Sequence, residues 1–352
     1  MVHLVYYKPR VFYMSHRKRF FLVSLFACLL CTTSMAQEQK ENWWKRTWIY
    51  KVDHALTKWY FSAKTDTQYV VRPKTKWILK GVGNLSGSAT CMRGNYQGKP
   101  LHADLTPSYN SSVSVGIDYI GLFVGLSANP AKWKGKYNDF EFNFALNSNR
   151  FGIDFMYHAQ TSAGGWLQYG DNNKINIPDG SFHSKTFNVN TFYAFNSKRF
   201  SIPATAFSQS FIQKRSAGSW LMGLSFVGQW AEPEKDAATV LPINKYKSLN
   251  LSLGAGYGYN LVLSKNFTFH ASALPTLILW NKTSIWDGTE WKNSQSHFPD
   301  FHIVGRASLV GNFNRYVAGI TCVGTFSALG EASRFQANTA KWRARIHFGW
   351  RF

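Results

Sequence analysis

From about residue 74 onward, apolar side chains alternate with small or polar ones. Leu249, Leu251 and Leu253, for example, alternate with Asn250 and Ser252. A two-residue period places the apolar side chains on one face of an extended strand. The pattern therefore predicts β-structure over most of the chain.

Twelve segments carry this alternation and are predicted as strands. They are 74–82, 109–118, 122–129, 138–146, 151–159, 183–195, 217–230, 247–260, 266–281, 299–310, 315–327 and 339–352. Several of these segments are long enough to cross a bilayer at a tilt. They are longer than the usual strand of a β-sandwich. An even strand number is typical of a closed bacterial outer-membrane barrel.

The connections between these segments alternate in length. Short turns such as 119–121 and 147–150 contrast with the long loops 83–108, 160–182, 231–246 and 282–298. Short turns at one rim and long loops at the other are typical of outer-membrane barrels, in which the short turns face the periplasm. The predicted fold class is all-β, a closed antiparallel transmembrane β-barrel of about twelve strands over 67–352. The connection 196–216 is the exception, because it is long but belongs to the short-turn rim.

Residues 41–62 have the apolar spacing of a helix instead. Trp48, Val52 and Trp59 recur at helical intervals, and Lys51 and Lys58 flank them. The segment predicts a short N-terminal amphipathic helix within a periplasmic segment, 37–66. Packing at the barrel rim is one interpretation, and attachment to a membrane surface is the other, since Trp beside Lys suits an interface.

The N-terminus has the pattern of a secretory signal. Basic residues at 17–19 precede the apolar run 20–30, and Ser34 and Ala36 provide a small-x-small cleavage site. We expect residues 1–36 to be removed on export. Met1 and Met14 both remain candidates for the true start.

The composition and the net charge exclude further classes of protein. The 352 residues are 45% apolar and 17% aromatic but only 16% charged, against roughly 25% charged in ordinary soluble domains. This composition excludes a disordered protein. The formal charge of +22 would suit nucleic acid, but an exported chain has no access to it, so we predict no nucleic-acid partner. The expected location is the outer membrane, with its lipids and lipopolysaccharide as partners of the loop lysines.

The last eleven residues form the most specific motif. Ile346, Phe348, Trp350 and Phe352 alternate with basic residues or glycine back from the C-terminus. This resembles the C-terminal signal of outer-membrane barrels, which the barrel-insertion machinery reads. An ordinary amphipathic strand that ends the chain is the alternative.

Three further stretches carry a family resemblance. They are 208–219, Asp66–Val70 and Val115–Leu122. These stretches resemble a domain-of-unknown-function family of secreted bacterial proteins with barrel-like sequences. The resemblance implies a barrel and no particular activity. It also implies that the long connection 196–216 is a shared element, folded under or into the lumen.

If the apolar faces contact lipid, the opposite faces line the lumen, where charge is tolerated. The predicted basic wall comprises Lys76, Lys80, Arg306, Arg343 and Arg345. The predicted acidic wall comprises Asp139, Glu141 and Asp154. Either the two walls enclose an open lumen with an electric field across it, or their charges pair across a filled interior.

Catalytic and metal-binding motifs are weak. His270 and Ser272 share a strand face, but that face is the lumen near the periplasmic end, so we predict that the protein is not an enzyme. We predict no cofactor and no metal site. Whether Cys91 and Cys322 pair stays open.

Three functions are consistent with these features. The first is passive passage of small polar or anionic solutes through the barrel. The second is a structural or partner-binding barrel with a filled lumen, which acts through its long external loops. A lipid-active enzyme is the third.

Overall fold

The structure is a computed structural model. It describes residues 47–62, 64–96, 98–106, 109–130, 140–161, 164–171, 174–205, 209–233, 245–286, 291–295, 300–331 and 335–352. The chain divides into two units, Met1–Ala55 and Leu56–Phe352. The proposed signal segment lies outside the described residues.

The predicted helix is present as α1, Trp48–Ser62. The Thr47 hydroxyl accepts a hydrogen bond from the Tyr50 amide at 3.3 Å, so Thr47 caps the first turn. Residues 41–46 of the prediction lie outside the described range. No helix in the described part of the chain is long and apolar enough to cross a bilayer.

Eighteen strands are found in the described residues. In chain order they are β1 Val70–Val71, β2 Trp77–Tyr96, β3 Lys99–Leu105, β4 Asn110–Tyr119, β5 Leu122–Ala128, β6 Phe140–Asn147, β7 Phe151–Thr161, β8 Gly165–Tyr169, β9 Ile175–Ile177, β10 Phe182–Ala194, β11 Ile212–Gln213, β12 Ala217–Pro233, β13 Lys245–Val262, β14 Phe267–Trp286, β15 Trp291–Gln295, β16 Asp300–Phe313, β17 Tyr316–Glu331 and β18 Phe335–Arg351.

A closed antiparallel barrel is formed by twelve of these strands, which confirms the predicted fold. Its order is β2-β4-β5-β6-β7-β10-β12-β13-β14-β16-β17-β18, and β18 returns to pair with β2. At the seam, the Phe352 amide donates to the Trp77 carbonyl and the Trp77 amide donates to the Phe352 carbonyl, both at 3.1 Å. Closure leaves no strand edge in the ring, which an apolar bilayer demands.

The side-chain alternation has the predicted direction. On β18, Ile346 and Phe348 are 65% and 56% exposed, whereas His347 and Arg351 are 7% and 1% exposed. Apolar side chains therefore face outward and polar ones face the lumen. Both cysteines of the described region are free thiols. They lie on the two strands that flank β18, where Cys322 is opposite Ala344 and Cys91 is opposite Asn338, six residues away along β18.

One irregularity reverses the inward and outward directions of the side chains in the outer half of β14. Leu251 pairs with Trp280 and Ser252 pairs with Ile278, so Leu279 is an extra residue in β14. Such a bulge reverses the alternation beyond it. Residues such as Lys282, which would otherwise point into the lumen, therefore face outward.

The outer ends of the barrel contain structure that alternation did not predict. β2 runs on to Tyr96, whereas the predicted strand ended at residue 82. The continuation is rich in Gly, Ser and Asn, which give little hydrophobic signal. The predicted long loops also contain β3, β8, β9 and β15.

The outward face of β18 provides a test of membrane burial. Replacing Ile346 by Arg puts a charge near the middle of an apolar surface, and we expect a loss of about 2–4 kcal/mol in unfolding free energy. The matched control is Asn338→Arg, on the same face of β18 but close to its outer end, where the loss should be below about 1 kcal/mol. Urea titration in lipid vesicles measures both. Equal losses would contradict this placement.

Candidate functional site

The short-turn end of the barrel is filled by two chain segments, 66–72 and 196–216, which we call the plug. The strand β1 of the first segment pairs with β11 of the second, Val70 with Gln213 and Val71 with Ile212. Val70, Phe200 and Phe211 are 0% exposed. The long connection at the short-turn rim therefore has its own core, and residues 206–208 of it lie outside the described range.

Asn260 on β13 is the centre of the contact between plug and wall. Its side-chain amide donates to the Ser201 carbonyl at 2.8 Å and to Gln213 Oε1 at 3.0 Å. Thr205 donates to Asn260 Oδ1 at 3.4 Å, and Ser308 on β16 donates to the Thr205 carbonyl at 2.8 Å. Asn260 is fully buried. Loss of such contacts would leave buried polar groups unsatisfied, so they fix the plug in place.

A second contact comes from the last strand. Arg351 Nη2 donates to the Gln209 carbonyl at 2.9 Å and to Asn312 Oδ1 at 2.7 Å. Arg351 is 1% exposed. The guanidinium also interacts electrostatically with Asp118, which in turn faces Lys80. The base of the lumen is thus a buried ionic group joined to the plug.

Apolar packing completes the closure. Phe200 and Ile202 of the plug pack with the inward residues Phe192 and Leu221, and Leu274 lies against the same cluster. Wall residues of three strands thus share one core with the plug. The space that a solute would need at this end of the barrel is occupied by protein.

The C-terminal half of α1 extends the plug core. The Tyr60 hydroxyl donates to the Ser210 carbonyl at 2.5 Å, and its ring packs against Phe211. Burial raises the pKa of Tyr60 above its ordinary value, with the Arg72 charge opposing the shift. Arg72 stacks over the Tyr60, Phe61 and Phe211 rings. Burial lowers the pKa of its guanidinium.

Above the plug, an ion pair crosses the lumen. Arg343 of β18 binds Glu141 of β6 through two contacts, Nη2 to Oε2 at 2.8 Å and Nη1 to Oε1 at 3.1 Å. Arg345 Nη2 lies 3.8 Å from Glu141 Oε1, and Asn143 donates to the same oxygen at 2.8 Å. Three strands separate β18 from β6 around the ring. The pair therefore braces one wall against another.

A second set of opposite charges lies next to this ion pair. Asp154 of β7 interacts electrostatically with Arg306 of β16 and with Arg345. Glu141, Asp154, Arg306, Arg343 and Arg345 together form what we call the luminal cluster. The basic and acidic walls meet in this cluster, and the arrangement is the cross-braced alternative.

Two predicted wall residues do not belong to the luminal cluster, and another lies outside the described residues. Lys80 faces the lumen but lies at its base with Asp118, a neighbouring-strand partner that sequence reasoning missed. Lys76 precedes β2 and is exposed, because the strand begins at Trp77, later than predicted. Asp139 lies outside the described residues. Asp118 could have been predicted as a luminal residue, because it lies two residues from Gly116 on β4 and therefore on the same, inward face.

The uncharged part of the lumen wall is largely bonded to itself. Ser225 donates to Asn190 Oδ1 at 2.6 Å on the neighbouring strand. Ser114 and Ser127 are joined at 2.6 Å, and Asn84 donates to Ser114 Oγ at the same distance. Such pairs stabilise the curved sheet. A small pocket is lined mostly by polar side chains, including those of Glu141 and His158, together with Ala128 and Phe140.

His270, Ser272 and Asn260 have the connectivity of a nucleophile, a base and an orienting amide. Asn260 Oδ1 lies 2.7 Å from His270 Nδ1, and His270 Nε2 lies 3.0 Å from Ser272 Oγ. Because the Asn260 nitrogen donates to the plug, Oδ1 is left to accept from His270 Nδ1–H. The imidazole then accepts the Ser272 proton at Nε2. His270 is only 1% exposed, and its orienting amide is bonded to the plug.

No group of three His, Cys, Asp or Glu side chains in the described part of the chain is arranged to hold a metal ion.

The long-loop end carries an external sheet made of β3, β8 and β9. β3 lies between β2 and β4, whereas β8 and β9 lie between β7 and β10, and β3 pairs with β8 from Leu101–Tyr169 to Leu105–Gly165. Two loops from separated walls are thereby joined. Their apolar core, which includes Leu101 and Leu167, contacts Met92 and Phe182. The external sheet therefore connects the outer end of β2 with the connection between β7 and β10.

A family model described as a domain of unknown function, DUF4421, matches residues 64–352. The chain belongs to the DUF4421 family. This confirms the predicted resemblance, and the DUF4421 match covers both plug segments and the whole barrel. No curated protein matches the chain.

Solved structures similar to this DUF4421 chain are outer-membrane barrels. The translocator domain of the autotransporter NalP from Neisseria meningitidis has 9% identity and a TM-score of 0.34, covering 86% of this chain and 96% of that one. The protease OmpT from Escherichia coli has 8% identity and a TM-score of 0.37, covering 80% and 97%. OprG from Pseudomonas aeruginosa has 10% identity and a TM-score of 0.27, covering 82% and 99%. These values transfer no function, and the fold assignment rests on the strand pairing.

The brace between Glu141 and Arg343 can be tested by a double-mutant cycle. Glu141→Gln leaves Arg343 and Arg345 without their shared anion, and we expect a loss of about 3 kcal/mol in unfolding free energy. Glu141→Leu with Arg343→Met should cost less than Glu141→Leu and Arg343→Met added together, because the double change removes both partners of the closest ion pair, although Arg345 still loses its contact with Glu141. Unfolding in urea is the measurement.

The matched control for this cycle is Glu232→Gln, at an exposed carboxylate near the outer end of β12. Its effect should stay within about 0.5 kcal/mol. Strict additivity of the Glu141 and Arg343 changes would show that the brace contributes nothing.

Proposed function

We propose that this protein is an outer-membrane barrel with a closed periplasmic base, which acts as a structural or partner-binding protein through its external face. The observation that carries the proposal is the plug. It fills the short-turn end with a core of its own and is bonded to the wall through Asn260 and Arg351.

The lumen above the plug supports the same function. The luminal cluster joins strands on separated walls, so these charges are paired across the lumen rather than left open to a solute. Passage of small polar or anionic solutes, the first function considered from the sequence, would require the plug to leave its place. The geometry therefore favours the filled-lumen alternative.

The external sheet is the surface through which we expect the protein to act. β3 and β8 fix two long loops to each other by backbone hydrogen bonds and a shared apolar core. A loop surface held in this way loses little entropy when it binds. Long external loops at the cell surface would therefore present a preorganised face to a partner.

The location in the outer membrane is part of the proposal. Its support is the closed ring, the outward apolar face and the sequence pattern of the export signal. The barrel-insertion machinery would read Ile346, Phe348, Trp350 and Phe352, whose side chains are all more than 40% exposed on the outward face.

We also propose that the protein has no catalytic activity. The Ser272–His270–Asn260 arrangement lies where β13 and β14 contact the plug, and Asn260 is fully buried. A substrate has no evident approach to Ser272 while the plug is in place. Holding the plug is the simpler role for this group.

Conductance across planar bilayers tests the closed base. The wild-type protein should give no stable current steps. The double change Phe200→Glu and Phe211→Glu places two charges at positions that are 0% exposed, so the plug should leave the lumen and steps should appear. Phe195→Glu is the control, because Phe195 directly precedes the same connection but is 62% exposed.

Steady current through the wild-type barrel, equal to that of the double variant, would contradict the proposal. Heat-modifiable mobility on a gel establishes that each variant has folded. Asn260→Ala provides a milder release of the plug, and short-lived current steps are expected from it.

Reactivity with a fluorophosphonate probe tests the absence of catalysis. Such probes label serines that a neighbouring base activates. We expect the wild-type protein and Ser272→Ala to be labelled equally weakly. Labelling that disappears in Ser272→Ala and in His270→Gln would overturn this proposal.

A further inference from the structure

Exposed lysines gather at the outer end of one side of the barrel. Lys185 of β10 pairs with Trp230 of β12, and Trp230 pairs with Lys247 of β13. Directly paired residues of neighbouring strands share a face, so these three side chains form one row. The parity of each strand makes that face the outward one, because the residues that precede Lys185 and follow Lys247 are buried.

Lys282 joins this row because of the bulge at Leu279. It pairs with Leu249 of β13, whose side chain faces outward, and it is exposed. Without the extra residue, Lys282 would point into the lumen. We call Lys185, Lys247 and Lys282 the lysine patch.

The spacing within the lysine patch follows from strand geometry. Lys185 and Lys247 lie two strands apart, so their Cα atoms are separated by about 10 Å. Lys282 lies one strand from Lys247 and two residues nearer the barrel centre, a distance of about 8 Å. Flexible lysine side chains at such distances can reach two or more anionic groups on one molecule.

Aromatic side chains surround the lysine patch. The Lys247 ammonium lies 4.3 Å from the centre of the Trp291 ring, and the Trp291 and Trp286 rings are 5.6 Å apart. Trp230 packs against Phe187 at 5.4 Å. Tryptophan at the rim of a barrel marks the boundary between acyl chains and headgroups.

The three strands that follow β14 around the ring lack this feature. On β16, β17 and β18, the outward positions within 301–313, 316–328 and 338–352 carry no charged side chain, and the arginines of these strands face the lumen. The lysine patch is therefore a local feature of the outward surface. Among the described residues, the outward acid next to the lysine patch is the exposed Glu232 at the end of β12, opposite His183.

We propose that the lysine patch binds the phosphate groups of a phosphorylated glycolipid in the outer leaflet. Phe187, Phe226 and Leu249 continue the same outward face toward the bilayer centre and would contact the acyl chains. A face that is apolar below and cationic above is complementary to an anionic amphiphile. The inference rests on the proposed membrane location.

Binding of defined lipids to the purified, folded protein tests the lysine patch. The patch variant is Lys185→Gln, Lys247→Gln, Lys282→Gln. The matched control is Lys198→Gln, Lys214→Gln, Lys265→Gln, three exposed lysines at the short-turn end. Native mass spectrometry measures the affinity of each protein for lipid A, for dephosphorylated lipid A and for phosphatidylglycerol.

Wild type and control should bind lipid A at least tenfold more tightly than the patch variant does. Dephosphorylated lipid A should bind weakly to all three proteins. Equal affinity of patch and control variants for lipid A would overturn the site, and equal wild-type affinity for phosphatidylglycerol would overturn the glycolipid assignment. Heat-modifiable mobility reports separately on the barrel, so failure of the membrane location is distinguished from failure of the site.

Discussion

The requirement that backbone polar groups be paired in an apolar medium governs this structure. Each barrel strand satisfies its amides and carbonyls through two neighbours, and the ring has no edge because β18 pairs with β2 along most of its length. The even strand number follows from that closure, since the first and last strands must meet antiparallel. Once the ring is closed, side-chain parity divides every strand between lipid and lumen. The lumen then becomes the place where charge can be kept.

The barrel strands were the most predictable part of the fold. Burial on one face only imposes a two-residue period, and this signal is local to each strand. It fades where both faces meet water, which is why the Gly-, Ser- and Asn-rich continuation of β2 was assigned to a loop. The pairing of β3 with β8 joins loops that are distant in sequence, so no local pattern indicates it. The plug was anticipated only through the family resemblance of 196–216, because its burial depends on a lumen that exists only after closure.

The luminal cluster shows which properties of a charged side chain can be predicted from strand parity and which cannot. Parity indicates that Arg343 and Glu141 face inward, but which carboxylate an arginine reaches depends on the diameter and stagger of the ring. Lys80 has the inward parity of the luminal cluster, yet its partner is Asp118 on the next strand. Lys76 lies before β2 because that strand begins at Trp77, three residues later than the start predicted from a proline- and lysine-rich sequence. The position of a charge along the barrel axis was therefore less predictable than the face on which it lies.

The contact between Arg351 and Gln209 has a consequence for assembly. Arg351 lies at the end of the last barrel strand, β18, whereas the plug contains β1, which precedes the barrel strands, and β11, which lies between β10 and β12. The plug acquires this contact only when β18 has taken its place in the ring. A chain stalled before that step would keep a buried carbonyl unsatisfied and a loose base. Closure of the ring by β18 and attachment of the plug to Arg351 are therefore coupled steps of assembly.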